Sequence, residues 1–325
     1  MTGDSGAKRR SLLRGRLPAP PRAVGSVRER ATDLAYAAGW LVVREMPDVT
    51  ARSLFAAGAR YAARDGGPEQ LRKNLARVLG VSPAQVPDSV MRDAVASYAR
   101  YWRETFRLPS MDLHVLGREL AASVDGAEHV DAALAAGRGV ILALPHSGNW
   151  DMAGVWLTQS HGRFMTVAER LKPESLYQRF MDYRENLGFD MLPLVGGERP
   201  AFDVLAERLT GNGVVCLMAE RDLTRKGVEV DFFGEPTRMP AGPAKLAIET
   251  GAPLLAAHCW FEGDGWRTGI GAPLDCSSAD VGVITQTLAD TFARNIAAHP
   301  ADWHMLQPQW LADLSESRQA RLKDA

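Results

Sequence analysis

The first third of the chain carries apolar side chains at helical spacing. Met91, Val95, Tyr98 and Trp102, for example, recur every three or four positions. A stripe with this spacing places one face of a helix against a core. Residues 31–120 are therefore predicted to be wholly helical.

A different pattern begins at about residue 136, where short apolar runs alternate with amphipathic segments. The strands are predicted at residues 139–145, 163–169, 189–194, 213–220 and 253–260, and the helices between them at 149–160, 173–187, 199–210 and 241–250. Strands this apolar, separated by helices, are typical of parallel sheets with both faces buried. The expected fold class is α/β, with a largely parallel central sheet covered by helices on both faces and a helical amino-terminal cap.

The composition fits one large domain with short extensions. The chain has 325 residues and is 46% hydrophobic, which is enough to bury a sizeable core. We expect a single domain over residues 31–312, in which 31–120 form the helical cap and 136–312 the α/β core. A basic arm at 1–30 and a polar tail at 313–325 flank this domain.

The amino-terminal segments suggest a lipid surface. Residues 1–30 hold eight Lys and Arg against two acidic residues, a local net charge of +6. Such an excess of positive charge is typical of a disordered arm, or of a segment attracted to anionic lipid. The attraction contributes about 1 kcal/mol for each basic side chain held near the membrane surface. No apolar run is long enough to span a bilayer. Residues 34–43 are predicted to form a short helix that lies in an interface or packs on the domain, and residues 49–63 are a second candidate for such a helix.

Charge and cysteine content argue against other classes of protein. With 38 basic and 39 acidic residues the net charge is −1, so no nucleic-acid partner is expected. The three cysteines lack CxxC spacing and indicate a reducing compartment. His258, Asp302 and His304 lack a recognisable ligand spacing, and no metal is expected.

Candidate catalytic residues stand at the predicted strand ends, where ligands bind in parallel sheets. His146 ends the first strand, and Asp151 follows in the first turn of the next helix. A turn there can bring the Asp151 carboxylate to one imidazole nitrogen and leave the other free to accept a proton. Glu220 ends the fourth strand and is also expected near His146. The sequence leaves both acids open as partners of the imidazole.

Two blocks of sequence resemble a known family. The motif HSGNWD matches the histidine, four residues, aspartate motif of glycerolipid and lipid A acyltransferases, and VDFFGEPTRMPAGPAKLAIETGAPLLAAHCW resembles the second block of the lipid A lauroyl-type branch. The resemblance covers about residues 31–312. Four segments, LPHSGNWDMAGVW, VAERLKPESLY, MAERDLTR and WHMLQPQW, are more closely similar to the actinobacterial branch that acylates phosphatidylinositol mannosides.

The resemblance implies an enzyme that moves a palmitoyl group from acyl-CoA to a mannose hydroxyl of a membrane glycophospholipid. It implies a peripheral protein at the cytoplasmic face of the plasma membrane, with acyl-CoA as co-substrate and no permanently bound cofactor. By resemblance His146 is the general base and Asp151 supports it. Glu220 would form a charge relay with His146, in competition or in combination with Asp151, and Glu249 would contact the bound donor.

Cations are the expected ligands of a coenzyme A head group, because it carries phosphates. Arg184, on the helix between the second and third strands, is the first candidate. The loop after Glu220 supplies Arg225 and Lys226, and Arg238 lies on a loop rich in small residues.

Three alternatives stay open at this point. Ser147 suggests a serine hydrolase, but its neighbours do not match GxSxG. An acyltransferase acting on another lipid acceptor would use the same residues. A non-catalytic lipid-binding protein would keep only the membrane surface. An acyltransferase should also have an apolar tunnel beside His146 that opens toward the amino-terminal helices.

Overall fold

The structure is a computed structural model that describes residues 39–170 and 174–323. The basic arm at 1–30 and the first part of the segment 34–43 lie outside the described residues. The described chain begins with a helical segment at residues 39–45.

Helices and strands follow one another over the rest of the described chain. The α-helices are α1 (Asp48–Ala62), α2 (Glu69–Leu79), α3 (Asp88–Arg107), α4 (Leu113–Ala121), α5 (Ala127–Ala135), α6 (Trp150–His161), α7 (Glu174–Asn186), α8 (Ala201–Thr210), α9 (Gly242–Thr250), α10 (Val281–Ala298) and α11 (Glu316–Lys323). The strands are β1 (Val124–Asp125), β2 (Val140–Leu144), β3 (Met165–Ala168), β4 (Asp190–Pro193), β5 (Val214–Met218), β6 (Val228–Phe232), β7 (Glu235–Met239), β8 (Leu254–Glu262) and β9 (Gly265–Ile270).

Seven strands form one sheet in the order β1-β9-β8-β2-β5-β3-β4. All neighbouring strands are parallel except β8 and β9, which form an antiparallel pair. Because β2 and β5 pair in parallel with Leu144 opposite Met218, their carboxyl ends meet at the same edge of the sheet. The predicted α/β fold with a largely parallel sheet is confirmed.

Alternating side chains of the central strands fill two hydrophobic cores. Ile141 and Ala143 of β2 pack on one face with residues of α8, α9 and α10. Leu142 and Leu144 pack on the other face with residues of α4, α6 and α7. Each fully buried Leu or Ile contributes roughly 1.5–3 kcal/mol, so these layers hold the strand ends in a fixed position.

The amino-terminal helices form a cap with its own small core. Leu71 and Leu75 of α2 pack against Met91 of α3. The cap is joined to the α/β core where Ser97 of α3 donates a hydrogen bond of 2.6 Å to the Asp302 carboxylate. The described part of the predicted helical region holds helices and turns up to Ala121, and no helix within the described ranges is long and apolar enough to cross a membrane.

Several elements differ from the sequence prediction. The antiparallel hairpin of β6 and β7 was not predicted because its strands alternate buried and exposed positions, with Glu229 and Asp231 exposed beside buried Val230. Helix α10 was also not predicted. Residues 316–323 of the predicted polar tail are helical.

Candidate active site

The candidate site forms where β2 and β5 end. His146 lies two residues beyond the end of β2, and Glu220 lies two residues beyond the end of β5. These strands are paired neighbours with the same direction, so the two side chains reach the same edge of the sheet. This is the edge at which parallel α/β sheets bind their ligands.

The His146 ring is held by the Glu220 carboxylate. The distance between Nδ1 of His146 and Oε1 of Glu220 is 2.6 Å, and the same oxygen accepts the His146 backbone N–H at 2.8 Å. An ionised carboxylate only accepts hydrogen bonds, so Nδ1 carries a proton, and in the neutral imidazole Nε2 then keeps a free lone pair. The His146 side chain is 42% exposed, whereas Glu220 is almost fully buried. The pair therefore presents a proton acceptor to solvent and keeps its orienting acid inside the protein.

The Glu220 carboxylate is ionised although it is buried. Burial raises the pKa of Glu220, but its charge interaction and hydrogen bonds with His146 outweigh that effect, so the pKa lies below its ordinary value. Its backbone is fixed as well, because Nε2 of the buried Gln309 donates to the Glu220 carbonyl at 2.6 Å. Of the two acids that the sequence left open, Glu220 is the one that contacts the imidazole.

Asp151 belongs to a different buried network. Its carboxylate accepts hydrogen bonds from Nε of Arg184 at 3.0 Å and from the Tyr101 hydroxyl at 3.3 Å, and the Tyr183 hydroxyl lies at 3.5 Å. Among the described residues it makes no hydrogen bond to His146. The predicted contact between this carboxylate and the His146 imidazole is therefore not found. Asp151 lies in the first turn of α6, which begins at Trp150, and from there its carboxylate contacts residues of α3 and α7.

This network also engages Arg184, the first candidate for the donor phosphates. Burial lowers the pKa of Arg184, but the nearby Asp151 outweighs it and the pKa is raised, so the guanidinium stays charged. In this structure it serves as the counter-ion of Asp151. A phosphate contact by Arg184 stays a prediction.

Replacing Asp151 by asparagine should lower the free energy of unfolding by about 3–5 kcal/mol, because the buried Arg184 guanidinium would lose its carboxylate. Urea denaturation of the wild type and the variant measures this difference. The control is Asp131→Asn, which removes an exposed partner of His161 and should cost less than about 1 kcal/mol. Equal losses for the two variants would contradict the structural role of Asp151.

The loop between His146 and α6 fits closely against the neighbouring strand β8. Gly148 has a φ of 53°, and a Cβ at this position would lie 2.6 Å from the carbonyl carbon of Cys259. Its backbone N–H donates to the Asp302 carbonyl at 2.8 Å. The glycine of the HSGNWD motif is thus required by a left-handed conformation and a close backbone approach.

Asn149 fixes the start of α6 and links it to the cap. Its Oδ1 accepts the Met152 backbone N–H at 3.2 Å, and its Nδ2 donates to Glu104 at 2.8 Å. The same Glu104 oxygen accepts the Trp266 indole N–H at 2.7 Å. Glu104 is buried on α3, and sequence reasoning missed it because a single carboxylate within a helical segment carries no motif.

Trp150 forms one wall beside His146. Its ring packs edge-on against the imidazole, with centroids 5.2 Å apart, and stacks on Tyr101 at 4.0 Å. Tyr101 is itself buried. The position of this wall is therefore set by the cap helix α3.

The remaining candidate donor ligands fall in two places. Arg225 and Lys226 are exposed on the loop after β5, and Nη1 of Arg238 donates to the Thr224 carbonyl of that loop at 3.2 Å. The structure thus brings these three cations to the loop that follows Glu220. Glu249 lies near the end of α9, just before the amino end of β8, and therefore at the edge of the sheet opposite His146. Contacts of these residues with a donor stay predictions.

Ser147 is not placed as a nucleophile. It is fully buried, its hydroxyl lies 3.0 Å from Nδ1 of His258, and it accepts the Cys259 backbone N–H at 3.3 Å. Burial lowers the pKa of His258 to about 3, so this histidine is neutral. The described part of the chain contains no group of three or more His, Cys, Asp or Glu residues that could hold a metal ion.

The fold and the site define the class of this protein. Residues 25–312 match the bacterial lipid A biosynthesis acyltransferase family, and the chain belongs to that family. The resemblance found in the two sequence blocks is thus confirmed.

The chain is also similar to individual relatives over nearly its whole length. The chain is 70% identical over 308 residues to the phosphatidylinositol mannoside acyltransferase of Mycobacterium tuberculosis strain H37Rv, an overlap of 95% of this chain and 97% of the relative. It is 69% identical over 293 residues to the phosphatidylinositol mannoside acyltransferase of Mycolicibacterium smegmatis, an overlap of 90% of this chain and 96% of the relative.

Proposed function

We propose that this protein transfers a palmitoyl group from acyl-CoA to a mannose hydroxyl of a phosphatidylinositol mannoside, with His146 as general base. The observation that carries the proposal is the exposed His146 ring, whose Nδ1 is held at 2.6 Å by the buried Glu220 carboxylate. Phosphatidylinositol mannoside is proposed as the acceptor because relatives about 70% identical to this chain are named phosphatidylinositol mannoside acyltransferase.

The proposed reaction needs only proton transfer and acyl transfer. Nε2 of His146 takes the proton of the mannose hydroxyl while the hydroxyl oxygen attacks the thioester carbonyl carbon. The carbon–sulfur bond then breaks, and the coenzyme A thiolate takes the proton back from the imidazolium. During this sequence the Glu220 carboxylate stabilises the positive charge on the His146 ring.

The buried acid favours a sequence of this kind. Because Glu220 is excluded from water, its charge acts on the imidazolium through a medium of low dielectric constant, in which electrostatic interactions are stronger. The carboxylate already holds the ring before substrate arrives, so no side chain has to reorganise when the proton moves. Trp150 limits the tilt of the ring from one side.

We further propose that the protein acts as a peripheral protein at the cytoplasmic face of the plasma membrane. Four apolar side chains near the start of the described chain are exposed by about half or more: Leu41 (48%), Val42 (59%), Val49 (76%) and Leu54 (52%). Neighbouring exposed apolar residues are a common feature of lipid-binding surfaces. The acyl-CoA donor and the three free cysteines support the cytoplasmic side.

The double variant Val42→Asp/Val49→Asp should bind vesicles of anionic phospholipid at least about tenfold more weakly. Each change puts a charge in place of a valine side chain that would otherwise move from water into the lipid. Vesicle co-sedimentation measures the effect. Val283→Asp introduces a charge at another exposed valine, on α10, and serves as the control. Unchanged binding by the double variant would show that this surface does not enter the lipid.

The release of free coenzyme A tests whether the proposed donor is used. Purified protein should cleave palmitoyl-CoA slowly without an acceptor, because water can replace the hydroxyl, and faster when phosphatidylinositol mannoside is added. A folded protein that binds vesicles tightly but releases no thiol under either condition would instead be a non-catalytic lipid-binding protein.

A further inference from the structure

Residues 308–310, near the carboxyl end of the chain, hold Glu220 and Arg221 in place after β5. Gln309 donates to the backbone carbonyl of Glu220, and Nε of Arg221 donates to the Pro308 carbonyl at 2.8 Å. The segment is itself anchored, because the Trp310 indole N–H donates to the Phe232 carbonyl at 2.8 Å. Glu220 and Arg221, the second and third residues after β5, are therefore both held by this segment.

Among the residues that the structure describes, no carboxylate forms an ion pair with the Arg221 guanidinium. Arg221 is half-buried, and Nε makes the one hydrogen bond described for its guanidinium. Glu220, Glu169 and Asp222 raise the pKa of Arg221 through their charges, but by less than burial lowers it. A fixed guanidinium with available N–H donors suits a phosphate better than a flexible lysine does.

A second arginine adds to the positive charge at this position. Burial lowers the pKa of Arg221, and the like charge of Arg318 on α11 lowers it further. Arg318 is exposed, so its side chain can turn toward a ligand. The like charges of Arg221 and Arg318 repel each other, and a bound anion would relieve that repulsion.

The location ties this charge to the reaction centre. Arg221 follows Glu220 directly in the chain, and Glu220 contacts the His146 ring. Both proposed substrates carry phosphate esters: the donor in its coenzyme A head group, and the acceptor in the phosphodiester that joins its inositol to the lipid.

We propose that Arg221, with Arg318, forms a binding subsite for a substrate phosphate ester beside the carboxyl end of β5. The inference rests on the proposed function for the identity of the two substrates. Arg221 supplies a pre-oriented guanidinium, and Arg318 closes on the phosphate from the solvent side.

Steady-state kinetics of Arg221→Gln and Arg318→Gln test this subsite. Palmitoyl-CoA is compared with S-palmitoyl-pantetheine, which has the same thioester without phosphates. Phosphatidylinositol mannoside is compared with octyl mannoside, which has no phosphodiester. For the substrate whose phosphate binds here, each variant should raise KM about tenfold or more with little change in kcat, and the phosphate-free partner should be unaffected. The substrate that shows the effect identifies the source of the phosphate.

Two results would overturn the proposal. Equal losses with the phosphate-bearing and phosphate-free substrates would show that Arg221 only positions Glu220, and unchanged KM values would show that it binds no phosphate. Arg318→Gln changes an exposed side chain and keeps the test valid if Arg221→Gln does not fold. Arg138→Gln, an exposed arginine before the amino end of β2, is the control.

Direct binding separates this subsite from the proposed function. Calorimetry with inorganic pyrophosphate should give a wild-type affinity that falls about tenfold in both variants. If the wild type releases no coenzyme A from palmitoyl-CoA but still binds pyrophosphate through Arg221, the donor assignment fails and the subsite stands. Identical pyrophosphate binding by the wild type and both variants would overturn the subsite whatever the activity.

Discussion

Replacing His146 by alanine should lower kcat/KM for acyl transfer by about two to four orders of magnitude, the usual contribution of a positioned general base. The ring is the proton acceptor of the proposed reaction, and its Nε2 is left free by the hydrogen bond from Nδ1 to Glu220. Initial rates with palmitoyl-CoA and phosphatidylinositol mannoside measure the loss.

A second variant separates chemistry from packing at this position. His146→Gln retains much of the side-chain volume and a hydrogen-bonding group but has no basic nitrogen, so its activity should fall as far as that of His146→Ala. Circular dichroism and the thermal midpoint verify that both variants fold. Wild-type turnover in a folded His146→Ala variant would remove His146 from the mechanism.

Replacing Glu220 by glutamine should lower kcat by about two to four orders of magnitude, by analogy with the loss of the orienting carboxylate in catalytic triads. An amide cannot stabilise the imidazolium as a carboxylate does, and its N–H₂ group favours the wrong tautomer of His146. The effect should appear in kcat more than in KM, because the charge on His146 develops during the reaction.

Two further variants test whether the effect is specific to the charge on Glu220. Glu220→Asp keeps the charge but shortens the side chain, so it should retain more activity than Glu220→Gln. Glu207→Gln, which removes an exposed partner of Arg199, should leave kcat within about twofold of the wild type. If Glu220→Gln turned over as fast as Glu207→Gln, the charge on Glu220 would have no catalytic role.

The central strands could be predicted closely from sequence, because strands buried on both faces appear as continuous apolar runs. The run at 139–145 became β2 (Val140–Leu144), and the run at 213–220 became β5 (Val214–Met218). The hairpin of β6 and β7 could not be recognised by that criterion, since its side chains alternate between core and solvent.

The same reasoning located His146 but not all of its surroundings. His146 and Glu220 follow adjacent parallel strands, so topology alone brings them together. The partner of Asp151 depends on the direction in which α6 leaves the loop, and on Arg184 and Tyr101, which come from distant parts of the sequence. Sequence spacing carries no information on either.

The helical cap contributes to the candidate site as well as to the proposed membrane surface. Glu104 and Tyr101 of α3 hold Asn149 and Trp150, which follow His146 on the motif loop. Movement of α3 would therefore move the wall beside the imidazole. This arrangement connects the helices proposed to meet lipid with the residues proposed to act on it.

The most direct test of the central claim is to identify the product. Purified protein is incubated with labelled palmitoyl-CoA and, separately, with phosphatidylinositol mannoside, phosphatidylinositol and a lysophospholipid, and the labelled lipids are analysed by mass spectrometry. We expect a palmitoyl ester on the mannose-bearing lipid with the wild type and none with His146→Gln. A folded wild type that labels no lipid, or a His146→Gln variant that forms the same product at the same rate, would contradict the account.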